Sequence, residues 1–301
     1  MVARSRARLR AYALRLLGVA LLTLLVAYAA VAVSVAESVT RAQRLAVPAA
    51  PGTLGRSYEV VTFRSTDGLT LRGWFFTASP QRAVILVHGK DSTRVEGERT
   101  ADFLIAKGYS VLLFDLRGHG QSEGDRFSLG QHERKDVAGA IDYLMSRGFA
   151  GRRIALLGTS MGAGTVLQTL ALRPNVGPVL ADSSYADAER LIGEVAHAYT
   201  GLPHWFNPGI LFASKYVFGL DAEEVRPIDL VRAHPERPFL FLHCAQDGTV
   251  LAHHARDLRA ASANAASELW LAPNCAHVQE SSVYPAEFEQ RVLGFLAAQM
   301  P

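Results

Sequence analysis

With only two cysteines in 301 residues, the chain cannot be a disulfide-stapled scaffold. Proline (13) and glycine (25) are too sparse for a fibrous or low-complexity protein, and 20% charged against 49% hydrophobic residues excludes a disordered one. No H-E-x-x-H occurs, and the adjacent His253 and His254 cannot both face one ion from a helix, so no metal is expected. Gly118-x-Gly120 followed by Gly124 misses the G-x-G-x-x-G spacing, so no dinucleotide cofactor is inferred. Basic patches interleaved with aromatics are missing too, so nucleic acid is not an expected partner.

The last absence is positional: no acidic residue precedes Glu37, whereas Arg4, Arg6, Arg8, Arg10 and Arg15 do. Removing these five from the 31 basic residues leaves 26 against 28 acidic ones, so the net +3 divides into +5 on a short arm and −2 on the rest. Leu16 to Ala36 follow without a charge, and 21 residues at about 1.5 Å each span roughly 31 Å, close to a bilayer's hydrocarbon core. Residues 1–36 therefore predict a membrane anchor or a signal segment. The positive-inside rule holds the arginines in the cytoplasm and sends the remainder across. Small-residue sites at Ala30-Val31-Ala32 and Val33-Ser34-Val35-Ala36 keep secretion after cleavage open as an alternative.

Residues 37–56, with Pro48, Pro51, Gly52 and Gly55 among alanines, have linker composition, which starts the folded domain at 57 and runs it to 301. Tyr58–Arg64 and Leu69–Phe76 flank the turn signal Asp67-Gly68 and predict an antiparallel pair. Six short, nearly continuous apolar runs follow: Ala83–His88, Tyr109–Asp115, Arg153–Gly158, Pro178–Asp182, Pro238–His243 and Glu268–Ala272. Such runs suit strands covered on both faces, and helical periodicity between them gives parallel β-α-β units. The expectation is an α/β protein with an eight-stranded, mostly parallel sheet flanked by helices. One interval breaks the rhythm: residues 183–226 hold Tyr185, Tyr199, Trp205, Phe206, Phe212, Tyr216 and Phe218 and form a helical insertion after a strand's carboxyl end. That edge is where open α/β sheets bind ligands, so the insertion is expected to be a lid.

Gly158-Thr159-Ser160-Met161-Gly162 stands at a strand-to-helix turn, where the glycines leave room for a strained backbone that lifts the serine out. Ser160 is the candidate nucleophile. Its base must come late in the chain; His277 follows the last strand, whereas His253 and His254, opening a helix, are expected to be solvated surface residues. Asp247 occupies the corresponding loop one strand earlier and is the candidate orienting acid, with Asp182, at the end of the preceding strand, as the rival. An oxyanion would need two N–H donors, expected from Met161, after the nucleophile, and from Lys90, after the third strand. His88 is expected to be a buried histidine holding its turn. Cys244 and Cys275 flank Asp247 and His277 on loops that should meet; they are either two small buried hydrophobes or a bridge, which Cα atoms beyond about 7 Å would forbid.

From Ser57 onward the chain resembles the α/β-hydrolases of the serine type, through His88-Gly89-Lys90, Asp115 to Ser122, the elbow around Ser160, Asp247 and His277 in that order. The resemblance implies a Ser160–His277–Asp247 triad and a structural loop at Asp115 to Ser122; with neither the H-E-x-x-H nor the G-x-G-x-x-G motif present, no cofactor is expected. The dehalogenase branch, which carries Asp where Ser160 stands, is excluded. Cys244 and Asn274-Cys275-Ala276 depart from the glycines that relatives often carry there. The function so implied is cleavage of a carboxylic ester or thioester of a small-molecule substrate; the apolar lid beside a bilayer suggests lipid-like acyl chains. A serine peptidase of the same superfamily and a non-catalytic membrane-anchored binding protein are the alternatives.

Overall fold

Eight strands, β1 (Glu59–Arg64), β2 (Thr70–Phe76), β3 (Ala83–Val87), β4 (Ser110–Phe114), β5 (Ile154–Thr159), β6 (Val179–Asp182), β7 (Phe239–Cys244) and β8 (Glu268–Ala272), form one sheet in the order β1-β2-β4-β3-β5-β6-β7-β8. This computed structural model describes residues 2–52 and 55–300. Met1, Thr53, Leu54 and Pro301, at the edges of the expected anchor, linker and folded domain, lie outside the described residues. β1 pairs antiparallel with β2 and β2 with β4; every later pairing is parallel. This is the α/β-hydrolase fold, and the eight predicted runs are its eight strands.

The central strands are buried along their whole length because each face has its own core. In β3, Ala83, Ile85 and Val87 join one apolar cluster, and Val84 and Leu86 join the other, as the period-two side-chain alternation of a strand requires. Helices cover both faces: α2 (Glu98–Ala106), α3 (Glu133–Ser146), α4 (Met161–Thr169), α7 (Pro227–Ala233), α8 (His253–Ala261), the short α9 (Glu280–Val283) and α10 (Pro285–Gln299). Between β6 and α7 the chain adds α5 (Ala188–Thr200) and α6 (Asn207–Phe218).

The described chain divides into two compact units. One comprises Arg41–Ile192 and Asp221–Pro301 and contains the sheet. Its first residues are tied to the loop after β4: Arg41 bridges Arg126, the Ala42 N–H donates to the Asp125 carbonyl (3.0 Å), and the Arg44 guanidinium donates to the carbonyls of Gly120, Ser122 and Gly124.

The other unit joins the first forty residues with Gly193–Leu220. Its long helix α1 (Val2–Thr40) runs four residues past the expected end of the apolar segment, and its stretch Arg8–Thr40 is long and apolar enough to cross a membrane. Ala32 and Ala36 of α1 form a small core with Ile210 and Ala213 of α6. Further along α1, Tyr28 stacks on Trp205 and Phe206, and its hydroxyl donates to the Trp205 carbonyl (3.2 Å).

Candidate active site

Ser160 lies between β5 and α4 with φ +53°, the left-handed region that costs a non-glycine residue on the order of 1–3 kcal/mol. Its neighbours hold it there. The Ser160 N–H donates to the Asp182 carbonyl (2.8 Å), tying the turn to β6, and the Ser160 carbonyl accepts from Ala163 and Gly164 in the first turn of α4. A Cβ on Gly158 would stand 2.2 Å from the Gly162 carbonyl oxygen, and one on Gly162 would stand 2.2 Å from that of Val87. Both glycines are therefore steric requirements of this elbow.

The Ser160 hydroxyl is 2.8 Å from His277 Nε2, and His277 Nδ1 is 2.6 Å from Asp247 Oδ2. An ionised carboxylate can only accept, so Nδ1 carries the imidazole proton, and Nε2 is left to accept the serine O–H. Asp247 Oδ1 is fixed separately by the N–H groups of Thr249 (2.8 Å) and Val250 (2.9 Å). Burial alone would raise the Asp247 carboxyl, but the His277 hydrogen bond and charge, with these two N–H donors, bring it below its ordinary value. Asp182 behaves in the opposite way: burial and the neighbouring Glu280 carboxylate push it well up. Its carboxyl meets the Ser183 hydroxyl at 3.2 Å, and that hydroxyl also reaches Glu280. The two acids sit in environments of opposite sign, and it is Asp247 that stands within hydrogen-bond distance of His277.

Beside the serine, Gly89 packs so that a Cβ there would be 3.4 Å from that of Ser160, and the Gly89 N–H is held by Glu96 Oε2 at 2.7 Å. Lys90 follows on this loop; its ammonium pairs with Asp91 and lies 5.1 Å from the Phe127 ring centroid. Met161 opens α4, whose first N–H groups have no partner within the helix and favour negative charge. A cavity of about 240 Å³ lies against these strand ends, with His88, Glu96, Thr159, Asp182, Val278 and Phe288 in its wall. Asp115 supports the same region from below through a fully buried ion pair with Arg94 (2.6 Å) and the Gln121 N–H (2.9 Å). Neither Arg94 nor Glu96 was singled out from sequence. Arg94 carries no motif, and only the fold brings it to Asp115.

His88 holds its turn: Nε2 accepts the Leu116 N–H (3.0 Å), so Nδ1 donates to the Gly89 carbonyl (2.7 Å). Two readings from sequence are corrected. Ligand atoms of His253 and His254 lie within 4.8 Å of each other, so the two imidazoles can face one point. His254 is fully buried rather than solvated, because α8 turns it inward, where its Nδ1 accepts the Ala186 N–H (3.2 Å).

Burial lowers the pKa of His88 from 6.5 to about 4 and lowers those of His119 and His243 as well. The unfolded chain therefore takes up these protons first. Their contribution to stability is complete above pH 6.5 and is lost as pH falls toward 4, about 3 kcal/mol for His88 alone. Melting temperatures taken between pH 7 and 4.5 are expected to fall steadily; a flat profile would contradict the assignment.

Cys244, the last residue of β7, is joined to Cys275 in a disulfide with Cα atoms 5.3 Å apart. The bridge ties the loop of Asp247 to the loop of His277, and Gln246 Nε2 adds a hydrogen bond to Asn274 Oδ1 (3.3 Å). Asn274 takes φ +50°, a conformation that asparagine tolerates. The closed loop spans 31 residues, so replacing both cysteines by alanine is expected to cost about 4 kcal/mol, read as a lower denaturation midpoint. An unchanged midpoint would remove the bridge from the account of stability.

Comparison with known proteins bears on the fold and the family. The esterase Pf2001 of Pyrococcus furiosus superposes with a TM-score of 0.73 at 24% identity, over 87% of this chain and 98% of that one. The uncharacterized protein YfhR of Salmonella typhi is 30% identical over 189 residues, 58% of this chain and 63% of that protein, so the chain spans about three fifths of that relative. Human monoglyceride lipase is 32% identical over 114 residues, 36% of this chain and 37% of the lipase. Residues 78–232, from before β3 to within α7 and including the serine elbow, match the family described as serine aminopeptidase, S33, and the chain belongs to that family of α/β-hydrolases.

Proposed function

We propose that the protein is a serine hydrolase that cleaves carboxylic esters or thioesters by acyl transfer. The observation that carries this reading is the continuous chain of hydrogen bonds from Ser160 through His277 to Asp247. His277 Nε2 takes the proton as Ser160 Oγ bonds to the acyl carbon. The N–H groups of Lys90 and Met161 receive the oxyanion, and the imidazolium, stabilised by Asp247, returns the proton to the leaving alcohol or thiol as the acyl bond breaks. Water then repeats the sequence against the acyl-enzyme and frees Ser160.

The Pyrococcus protein is named an esterase and the human relative a lipase, which supports ester cleavage. The family's description favours a second reading, an aminopeptidase using the same three residues. Acyl esters of graded chain length set against aminoacyl amides separate the two. Esters are expected to give the higher kcat/KM. A preference for amides would establish the peptidase, and failure of Ser160 to react with a fluorophosphonate would leave a binding protein.

In the same reading, residues 1–36 anchor the enzyme, 37–56 link it to the hydrolase domain at 57–301, and 183–226 serve as its lid. The anchor keeps its arginines in the cytoplasm and the hydrolase domain outside. The disulfide supports an oxidising compartment. The packing of Ala32 and Ala36 on Ile210 and Ala213 supports retention of the anchor, since cleavage after Ala36 would uncover α6.

A further inference from the structure

The helix α6 is apolar on both sides. Ile210 and Ala213 are buried against α1, while Phe212, Tyr216 and Val217 are 57–68% exposed, and Lys215 is the helix's only charged residue. A surface helix of a soluble protein places polar residues opposite its packed stripe; a helix that is apolar all round is covered on every side. Just before it, Trp205 is 63% exposed although it stacks on Tyr28.

The level of this contact along α1 indicates what covers the outer side. Tyr28 lies eight residues inside the end of the uncharged run at Ala36, or about 12 Å along the helix. α1 itself exposes Leu21, Leu22, Leu24, Leu25 and Val26. Whatever medium surrounds α1 at Tyr28 also surrounds the residues packed on it. We infer that Trp205 and α6 are immersed in the outer leaflet, so that residues 205–218 enter the membrane beside the anchor and their partner is the acyl-chain layer of the bilayer. This inference rests on the reading of α1 as a membrane anchor.

The polar side chains carried along can be accommodated. The Lys215 ammonium lies 6.0 Å from the Tyr216 ring centroid on a stem long enough to reach the headgroups, and Trp and Tyr are the residues enriched at that depth. His197 Nδ1 lies 2.9 Å from the Leu202 carbonyl, and the His197 and His204 rings are 5.5 Å apart, so the imidazoles gather at the turn.

The chain carries its own probe, because Trp74 and Trp270 are buried and Trp205 is the exposed tryptophan. The full chain in vesicles of brominated phosphatidylcholine should show quenched emission, and the quenched component should vanish in Trp205→Phe. Val26→Trp, placed in the Trp205→Phe background, reports the anchor separately and should also be quenched. If Val26→Trp is quenched but Trp205 responds instead to aqueous iodide, α6 stands in water: the inference fails and the anchor survives. If Trp205 responds to neither quencher, protein covers it, and a doubled mass in detergent would identify a second copy, overturning the lipid assignment. An unquenched Val26→Trp overturns the anchor and the inference together.

Discussion

Replacing Ser160 by alanine is expected to lower kcat on any ester the protein turns over by about 10⁴- to 10⁶-fold, with little change in KM. The loss is large because His277 then has no hydroxyl to activate, and only binding and the N–H groups around the oxyanion remain to accelerate attack by water. Ser160 already occupies a positive-φ position that alanine fills with the same Cβ, so the variant should melt close to the parent. Its fluorophosphonate labelling should disappear. An alanine variant that kept its activity would place the chemistry elsewhere in the molecule.

Asp247→Asn is expected to cost about 10⁴-fold in kcat with a nearly unchanged structure. The asparagine amide can donate to Nδ1 of His277, which moves the imidazole proton to Nε2 and leaves nothing to accept the serine hydroxyl. Asp182→Asn is the informative comparison. That carboxyl, buried and raised beside Glu280, is already biased toward its neutral form, and its hydrogen bonds run to Ser183 rather than to His277. The amide there spares the imidazole tautomer, so Asp182→Asn should lose far less. A reversed ranking of the two kcat values would transfer the orienting role to Asp182.

Much of this arrangement is legible in the sequence itself. The parallel strands announce themselves as short apolar runs because helices cover both faces of the sheet, and no polar alternation is needed. Chain order separates the candidate residues, since each of Ser160, Asp247 and His277 follows the end of a strand. Other features depend on distance in space alone. Cys244 and Cys275 could be brought near by topology, but only their Cα separation of 5.3 Å decides that they pair. His254 sits at the start of a helix, where the sequence does not tell which face turns inward. Tyr28 and Trp205 are 177 residues apart, and nothing local to either apolar segment says that the two associate. Glu96, which holds the Gly89 N–H, looks like one more charged residue in a polar stretch.

The contacts of Arg41 to Arg44 bear on where a shortened chain should begin. Composition places the start of the folded domain near Ser57, and a chain cut there would omit Arg44. The carbonyls of Gly120, Ser122 and Gly124 would lose its guanidinium, and Asp125 its Ala42 N–H partner, along the very loop that carries Asp115 and Gln121 next to Arg94. A chain cut after Thr40 sheds the apolar helix and keeps that clasp. Residues 41–44 thus belong physically with the sheet they clasp.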